Sequence, residues 1–131
     1  RRRNSDLSEL VILKEIMARI QHLEELPTLP LPCNYFDLIG GVGTGGLIAL
    51  MLGRLKMPID TAIKEYVNFT ERVFSKKKVG RTINVYRATE FEYAMKTLIK
   101  TAGYRGDSLM RDQDGQDTSE CLRYVESQLF L

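Results

Sequence analysis

A cluster of glycines, Gly40–Gly46, most constrains how this chain can fold, because five of its seven residues are glycine. One apolar run, Tyr35–Ile39, precedes the cluster, and a second, Leu47–Leu52, follows it without a break. A short apolar run before glycines is typical of a buried strand. The second run, which Gly53 ends, is typical of a buried helix. Strand, glycine turn and helix form the core unit of an α/β fold, so the cluster predicts that class.

Two nucleotide-binding motifs can be compared with the glycine cluster. Gly41, Gly43 and Gly46 match the G-x-G-x-x-G of dinucleotide-binding proteins, in which glycines let the backbone approach a pyrophosphate. That fold also needs a second strand that ends in an acidic residue about 20 positions on, whereas helices are predicted there. The phosphate loop GxxxxGK[ST] needs lysine after its last glycine, where this chain has Leu47. Dinucleotide binding through Gly41–Gly46 is therefore the less favoured alternative.

The third motif is the nucleophile elbow, G-x-S-x-G, a strained turn between a strand and a buried helix. Small residues on both sides of the nucleophile prevent clashes, and Gly41 and Gly45 fill these places. The nucleophile position itself is Gly43, which has no side chain that could attack an ester. Glycine adopts the unusual backbone angles of such a turn at low strain. The sequence therefore predicts the geometry of the elbow without its chemistry.

The segment from Tyr35 to Leu50 resembles the elbow region of patatin-like phospholipases, which is usually written FDLI-x-G-T-S-T-G-G-L-I-A. In this chain the segment reads YFDLIGGVGTGGLIAL. Met51–Phe74, with its LGR and MPID pieces, is similar to the same family, and so is Leu7–Leu10. The resemblance covers about residues 7–110 and is most specific at the elbow.

This resemblance implies an α/β fold, a three-layer sandwich, and hydrolysis of lipid acyl esters in lipid metabolism. It implies a Ser–Asp dyad that uses no histidine, and a D-G-G-G-x-R-G loop whose backbone N–H groups bind the oxyanion. Gly43 occupies the serine position, and Thr44 is the next residue, whose N–H a generic elbow adds to the oxyanion hole. The implied elbow and oxyanion backbone consists of Gly41, Val42, Gly43, Thr44, Gly45 and Gly46.

The chain departs from the family at each catalytic component. Arg1–Asp6 stands where the oxyanion loop would precede Leu7, and D-G-G-G-x-R-G occurs nowhere in the sequence. The dyad aspartate belongs to a D-G-G or D-G-A motif, but the only Asp-Gly is Asp114-Gly115, in a polar stretch. We therefore expect an incomplete patatin-like sandwich that is catalytically deficient, with no catalytic residue. A non-catalytic module that binds lipid or protein is the alternative.

Residue counts exclude several other kinds of site. His22 is the only histidine, so a His-rich metal site is excluded and a Ser-His-Asp triad has one candidate base. We expect His22 to be a cation at a helix end. Cys33 and Cys121 form no CxxC pair, so two unpaired thiols are favoured, although a single bridge between them stays open. No metal and no cofactor is expected.

Charge suggests one candidate contact with lipid. The net charge of +2 is too balanced to indicate nucleic acid. A basic loop is predicted at Lys76, Lys77 and Lys78. The simpler interpretation is that these lysines lie on a solvated surface. The functional interpretation is that they contact anionic lipid. The longest uncharged stretch, Leu38–Gly53, has 16 residues and is too short and glycine-rich for a membrane span. A cytoplasmic location, peripheral to membranes, is expected.

Apolar spacing predicts three further helices and the organisation of the chain. Asp6 and Glu9 form a capping box for a largely buried helix over 7–25, which follows a disordered basic lead-in at 1–6. Asp60 caps a helix over 60–74, and a helix that begins near Thr89 ends at Gly103.

A partial patatin-like domain over 7–110 is followed by a polar tail over 111–131 with a short amphipathic end. Core positions are expected for Tyr35, Tyr66, Phe69 and Phe74.

Overall fold

Helices joined by turns and irregular segments make up the structure, a computed structural model that describes residues 2–74 and 83–106. Side chains are described for residues 5–73 and 89–106. The helices are α1 (Arg2–Leu23), α2 (Thr44–Ala49), α3 (Ile59–Phe74) and α4 (Ile83–Thr101). A 3₁₀ turn, Pro32–Asn34, lies between α1 and α2, and a π-helical turn, Leu50–Arg54, continues α2.

The predicted α/β sandwich is wrong for the described residues, because neither 2–74 nor 83–106 contains a strand. Tyr35–Ile39, which was expected to form a buried strand, is irregular backbone, and Phe36 and Leu38 are exposed. A strand is stable only beside a neighbour that satisfies its backbone N–H and C=O groups. The described segments offer this run no such neighbour, so its apolar composition alone does not produce a strand.

The centre of the fold is α2 with its π-helical continuation, and this confirms the predicted buried helix after the glycines. Ile48 is partly buried, and the other apolar side chains of this segment are almost completely buried, namely Leu47, Ala49, Leu50, Met51 and Leu52. The other helices add buried side chains to the same cluster, which are Leu10 of α1, Ile59, Ala62, Tyr66 and Phe69 of α3, and Ala94 and Leu98 of α4. Burial of Tyr66 and Phe69 was predicted. The removal of this apolar surface from water drives folding.

Helix α1 starts earlier than the sequence pattern indicates. It begins at Arg2, so residues 2–6 are helical rather than a disordered lead-in. Asp6 therefore lies inside the helix and does not cap it. The carboxylate of Asp6 accepts hydrogen bonds from Thr44 and Tyr66 instead.

Helix α1 is also less buried than predicted. Leu10 and Met17 are buried, but Val11 and Ile12 on the other side of the helix are 54% and 61% exposed. Ile16 and Leu23 are exposed as well. The apolar face is wider than the core beneath it, so only half of this face is covered within the described residues.

Helix α3 agrees with its prediction to within one residue at its start. Asp60 occupies the first turn rather than the cap position, and its negative charge there is favourable for the helix dipole. Its Oδ1 atom is 2.5 Å from Nζ of Lys14 on α1. Both side chains are well exposed, so this ion pair contributes little stability.

Helix α4 begins at Ile83, before the predicted capping box at Thr89, and its last residue is Thr101, two residues before the predicted stop at Gly103. Gly103 has a φ of +88°, and its N–H donates to the carbonyl of Lys100 at 2.9 Å. The N–H of Tyr104 donates to the carbonyl of Ile99 at 3.1 Å. These two bonds form a Schellman motif, which requires a left-handed residue where the helix stops.

Several predicted features lie outside the described residues. They are the Lys76, Lys77 and Lys78 loop, Cys121, the side chain of Phe74, Asp114 and the tail over 111–131. Within the described ranges, none of the helices has the length and apolar character needed to span a bilayer.

Candidate functional site

The glycine cluster forms a sharp turn that leads directly into α2. Gly43 has φ and ψ angles of 63° and −125° and immediately precedes the first helical residue, Thr44. The N–H of Gly45 donates to the carbonyl of Val42 at 3.1 Å, and the N–H of Gly46 donates to that of Gly43 at 3.0 Å. Such angles belong to the first central residue of a type II′ turn, where glycine is favoured. The backbone therefore bends at Gly43, the position of the nucleophile in an elbow.

The turn is crowded at Gly41. A Cβ atom added there would lie 2.1 Å from the carbonyl oxygen of Gly45 and 2.2 Å from its carbonyl carbon. These are backbone atoms that cannot move aside, so only glycine fits at position 41. The expected crowding is thus found at Gly41, but a Cβ on Gly45 would meet no atom within 4 Å.

Position 43 is open by comparison. A Cβ atom on Gly43 would have no neighbour within 4 Å. A side chain there is disfavoured by the backbone conformation alone and would project into free space, where a nucleophile would need to be. Glycine supplies no such group, so the turn presents no side-chain atom that could attack a substrate at this position.

A carboxylate connects this turn to two helices. Oδ2 of Asp6 accepts a hydrogen bond from Oγ1 of Thr44. The same oxygen accepts a bond from the phenolic oxygen of Tyr66 at 3.0 Å. Asp6 belongs to α1, Thr44 begins α2 and Tyr66 lies in α3, so one carboxylate joins three elements. Because the carboxylate oxygen that accepts the Thr44 hydrogen bond is shared with Tyr66, we assign Thr44 a structural role at the start of α2.

The sequence pattern did not reveal Asp6 and Tyr66 as partners of the turn. Asp6 was interpreted as a helix cap because of its distance from Glu9, and Tyr66 as a core residue because of its helical spacing. One signal was present, since a tyrosine on an apolar face needs a partner for its hydroxyl group once it is buried. The identity of that partner depends on the fold.

Two other reactive side chains have no features of a catalytic group. His22 lies in the last turn of α1 and is exposed, as the sequence predicts for its position at a helix end. Cys33 lies in the 3₁₀ turn, and burial raises the pKa of its thiol, although Lys56 partly offsets this increase. The thiol is therefore mainly protonated at neutral pH, and only the thiolate is a good nucleophile. Among the side chains described, those of residues 5–73 and 89–106, no group of three or more could hold a metal ion.

Comparisons of the chain with models of protein families, with curated proteins and with solved structures gave no match. Inference about function therefore depends on the turn, its contacts and its sequence motif. The turn combines a bend at Gly43, backbone contact at Gly41 and the Asp6 link to α1 and α3.

The contact at Gly41 predicts a strong effect of one methyl group. Gly41→Ala should lower the free energy of unfolding by about 3 kcal/mol or more, because the added Cβ overlaps the backbone of Gly45. Urea denaturation followed by circular dichroism measures this change. Gly40→Ala is the matched control and should change stability by less than about 0.5 kcal/mol, because its Cβ has open space. Equal stability of the two variants would contradict the described turn.

The Asp6 network predicts energetic coupling between distant residues. Asp6→Ala should destabilise the protein by about 1.5–3 kcal/mol, because hydrogen bonds to a charged group are lost. In a double-mutant cycle, Asp6→Ala and Thr44→Val should be non-additive by at least about 0.5 kcal/mol. Tyr66→Phe should couple to Asp6→Ala in the same way. Glu9→Ala, at an exposed carboxylate of α1, is the control and should be additive with Thr44→Val.

Proposed function

We propose that this chain is a catalytically deficient relative of the patatin-like phospholipases, in which the turn of a nucleophile elbow is kept for its shape. The observation that carries the proposal is the backbone of Gly43, bent at φ 63° and ψ −125° at the start of a buried helix. The proposal concerns this turn and the helices beside it. It includes no sheet, since the described residues form none.

The sequence lacks groups that ester hydrolysis by this route requires. Ester hydrolysis by this family's route needs a nucleophilic oxygen, a base that takes its proton and donors that stabilise the oxyanion. Position 43 offers no side-chain oxygen. The sequence contains no D-G-G-G-x-R-G loop, and its single Asp-Gly pair is Asp114-Gly115. Loss of one component slows such an enzyme, and absence of all three leaves it without the covalent route.

The turn retains a role in the fold. It directs the chain from the irregular segment that ends at Gly41 into α2, the most buried helix, and the Asp6 carboxylate holds its first residue, Thr44. A glycine at position 43 adopts the required angles more easily than serine would, because left-handed backbone costs L-residues about 1–2 kcal/mol. Replacement of the nucleophile by glycine therefore relieves strain and removes activity together.

The proposal predicts an inactive protein. Purified chain should hydrolyse neither short-chain nitrophenyl esters nor phospholipid above the uncatalysed rate. Gly43→Ser should fold, with a loss of about 1–2 kcal/mol in stability, and should also remain inactive because the base and the oxyanion loop are absent. Release of nitrophenol and of free fatty acid measures both results.

Treatment with a serine-reactive organophosphate tests whether any turnover depends on an activated serine. Turnover by the wild-type chain that this reagent abolishes would overturn the proposal. Activity gained by Gly43→Ser alone would show that a base and oxyanion donors are present after all.

A second candidate function is contact with a lipid surface, and exposed apolar side chains beside the turn favour it. Leu38 and Val42 are 68% and 69% exposed and lie just before Gly43 in the chain. Exposed apolar groups near lysines are typical of surfaces that bind anionic lipid. The Lys76, Lys77 and Lys78 loop supplies such lysines in the sequence.

Co-sedimentation with vesicles of phosphatidylserine and phosphatidylcholine tests this second candidate. Binding should decrease in raised salt, because salt screens the attraction between lysines and anionic headgroups. The variant Lys76→Glu/Lys77→Glu/Lys78→Glu should lose most binding, and Leu38→Ser/Val42→Ser should lose part of it. The variant Lys64→Glu/Lys96→Glu/Lys100→Glu has the same charge change on α3 and α4, and equal recovery of the two triple variants would count against the loop.

A further inference from the structure

An open cleft of about 960 Å³ lies between α3 and α4, and neither the turn nor the proposed function uses it. Its floor is apolar and consists of the buried side chains of Phe69, Ala94 and Leu98. Phe69 also contacts Phe91 edge to face, with ring centroids 5.4 Å apart, which fixes the floor in place. The cleft therefore has a defined apolar base between two packed helices.

Most of the charged side chains that line the walls of the cleft are acidic. Glu65 and Glu71 line it from α3 and Glu90 lines it from α4, whereas Arg72 is the one cation among the described lining residues. Three carboxylates and one guanidinium give these walls a net charge of −2. The guanidinium of Arg72 lies 5.3 Å from the centroid of the Tyr93 ring, so the wall already holds one cation against an aromatic face.

We propose that this cleft binds a basic amphipathic helix of a partner protein, with apolar side chains on the floor and Lys or Arg side chains on the acidic walls. Charge complementarity selects this occupant. Phosphates of nucleic acids and of anionic lipids carry the same sign as the walls and are repelled. An apolar floor with charged walls is the usual form of a groove that receives a helix.

The length of the cleft sets the size of the contact. Its lining residues span 65–72 on α3 and 89–98 on α4. At 1.5 Å per residue these spans correspond to about 10–14 Å, or between two and three helical turns. A partner helix can therefore place two apolar residues, spaced i and i+4, on the floor and basic residues on both sides of them.

Fluorescence anisotropy with synthetic peptides tests the proposal. The probe is a labelled helical peptide of leucine and lysine with leucines at i and i+4, and the comparison peptide has glutamate in place of lysine. The lysine peptide should bind, and its affinity should fall as salt increases. Glu65→Gln/Glu71→Gln should weaken binding by about fivefold, because two attractive charges are lost. Tyr93→Ala, at a largely exposed ring, should weaken binding without unfolding the protein.

Glu9→Gln/Glu15→Gln is the matched control, since it removes two exposed carboxylates of α1 away from the cleft lining. This variant should bind the lysine peptide as wild type does. The proposal is overturned if the lysine peptide does not bind, if the glutamate peptide binds equally well, or if both pairs of substitutions have the same effect. A circular dichroism melt of each variant shows that the fold is intact.

Discussion

Burial of α2 and its π-helical continuation is the constraint on which the rest of this structure depends. The two together run from Thr44 to Arg54, too few residues to remain helical in water alone. Their stability must come from neighbours, and α1, α3 and α4 each contribute side chains to the cluster around them. At the far end the guanidinium of Arg54 lies 4.9 Å from the centroid of the Tyr104 ring, so a cation–π contact links this segment to the residues that follow α4.

The polar groups are arranged to serve the same packing. The hydroxyl of Tyr66 would be costly inside the core without a partner, and the carboxylate of Asp6 accepts its hydrogen bond. The same oxygen binds Thr44, so the hydrogen bonds that hold the turn and those that satisfy the core are one network. In the described part of the chain, no buried side-chain nitrogen or oxygen lacks a hydrogen-bond partner.

Features that depend on neighbouring residues could be predicted from the sequence, and those that depend on distant ones could not. The extent of α3, the stop at Gly103 and the crowding at Gly41 follow from local spacing and backbone conformation. The strand predicted at Tyr35–Ile39 failed because strand formation is decided by a distant pairing partner. The bond from Thr44 to Asp6 spans 38 residues and has no local signal. The acidic cleft also escaped prediction, because its walls come from two helices that the fold brings together.

Gly43 and Gly41 have different roles in the glycine turn. In the proposed relationship to patatin-like phospholipases, position 43 corresponds to the reacting group, and a Cβ atom added to Gly43 would meet no atom within 4 Å. Gly41 has no counterpart in that reaction, but the backbone of Gly45 leaves no room for a side chain at position 41. A substitution at position 43 therefore changes the side chain that the turn presents without a clash, whereas a substitution at position 41 overlaps the backbone of the turn itself.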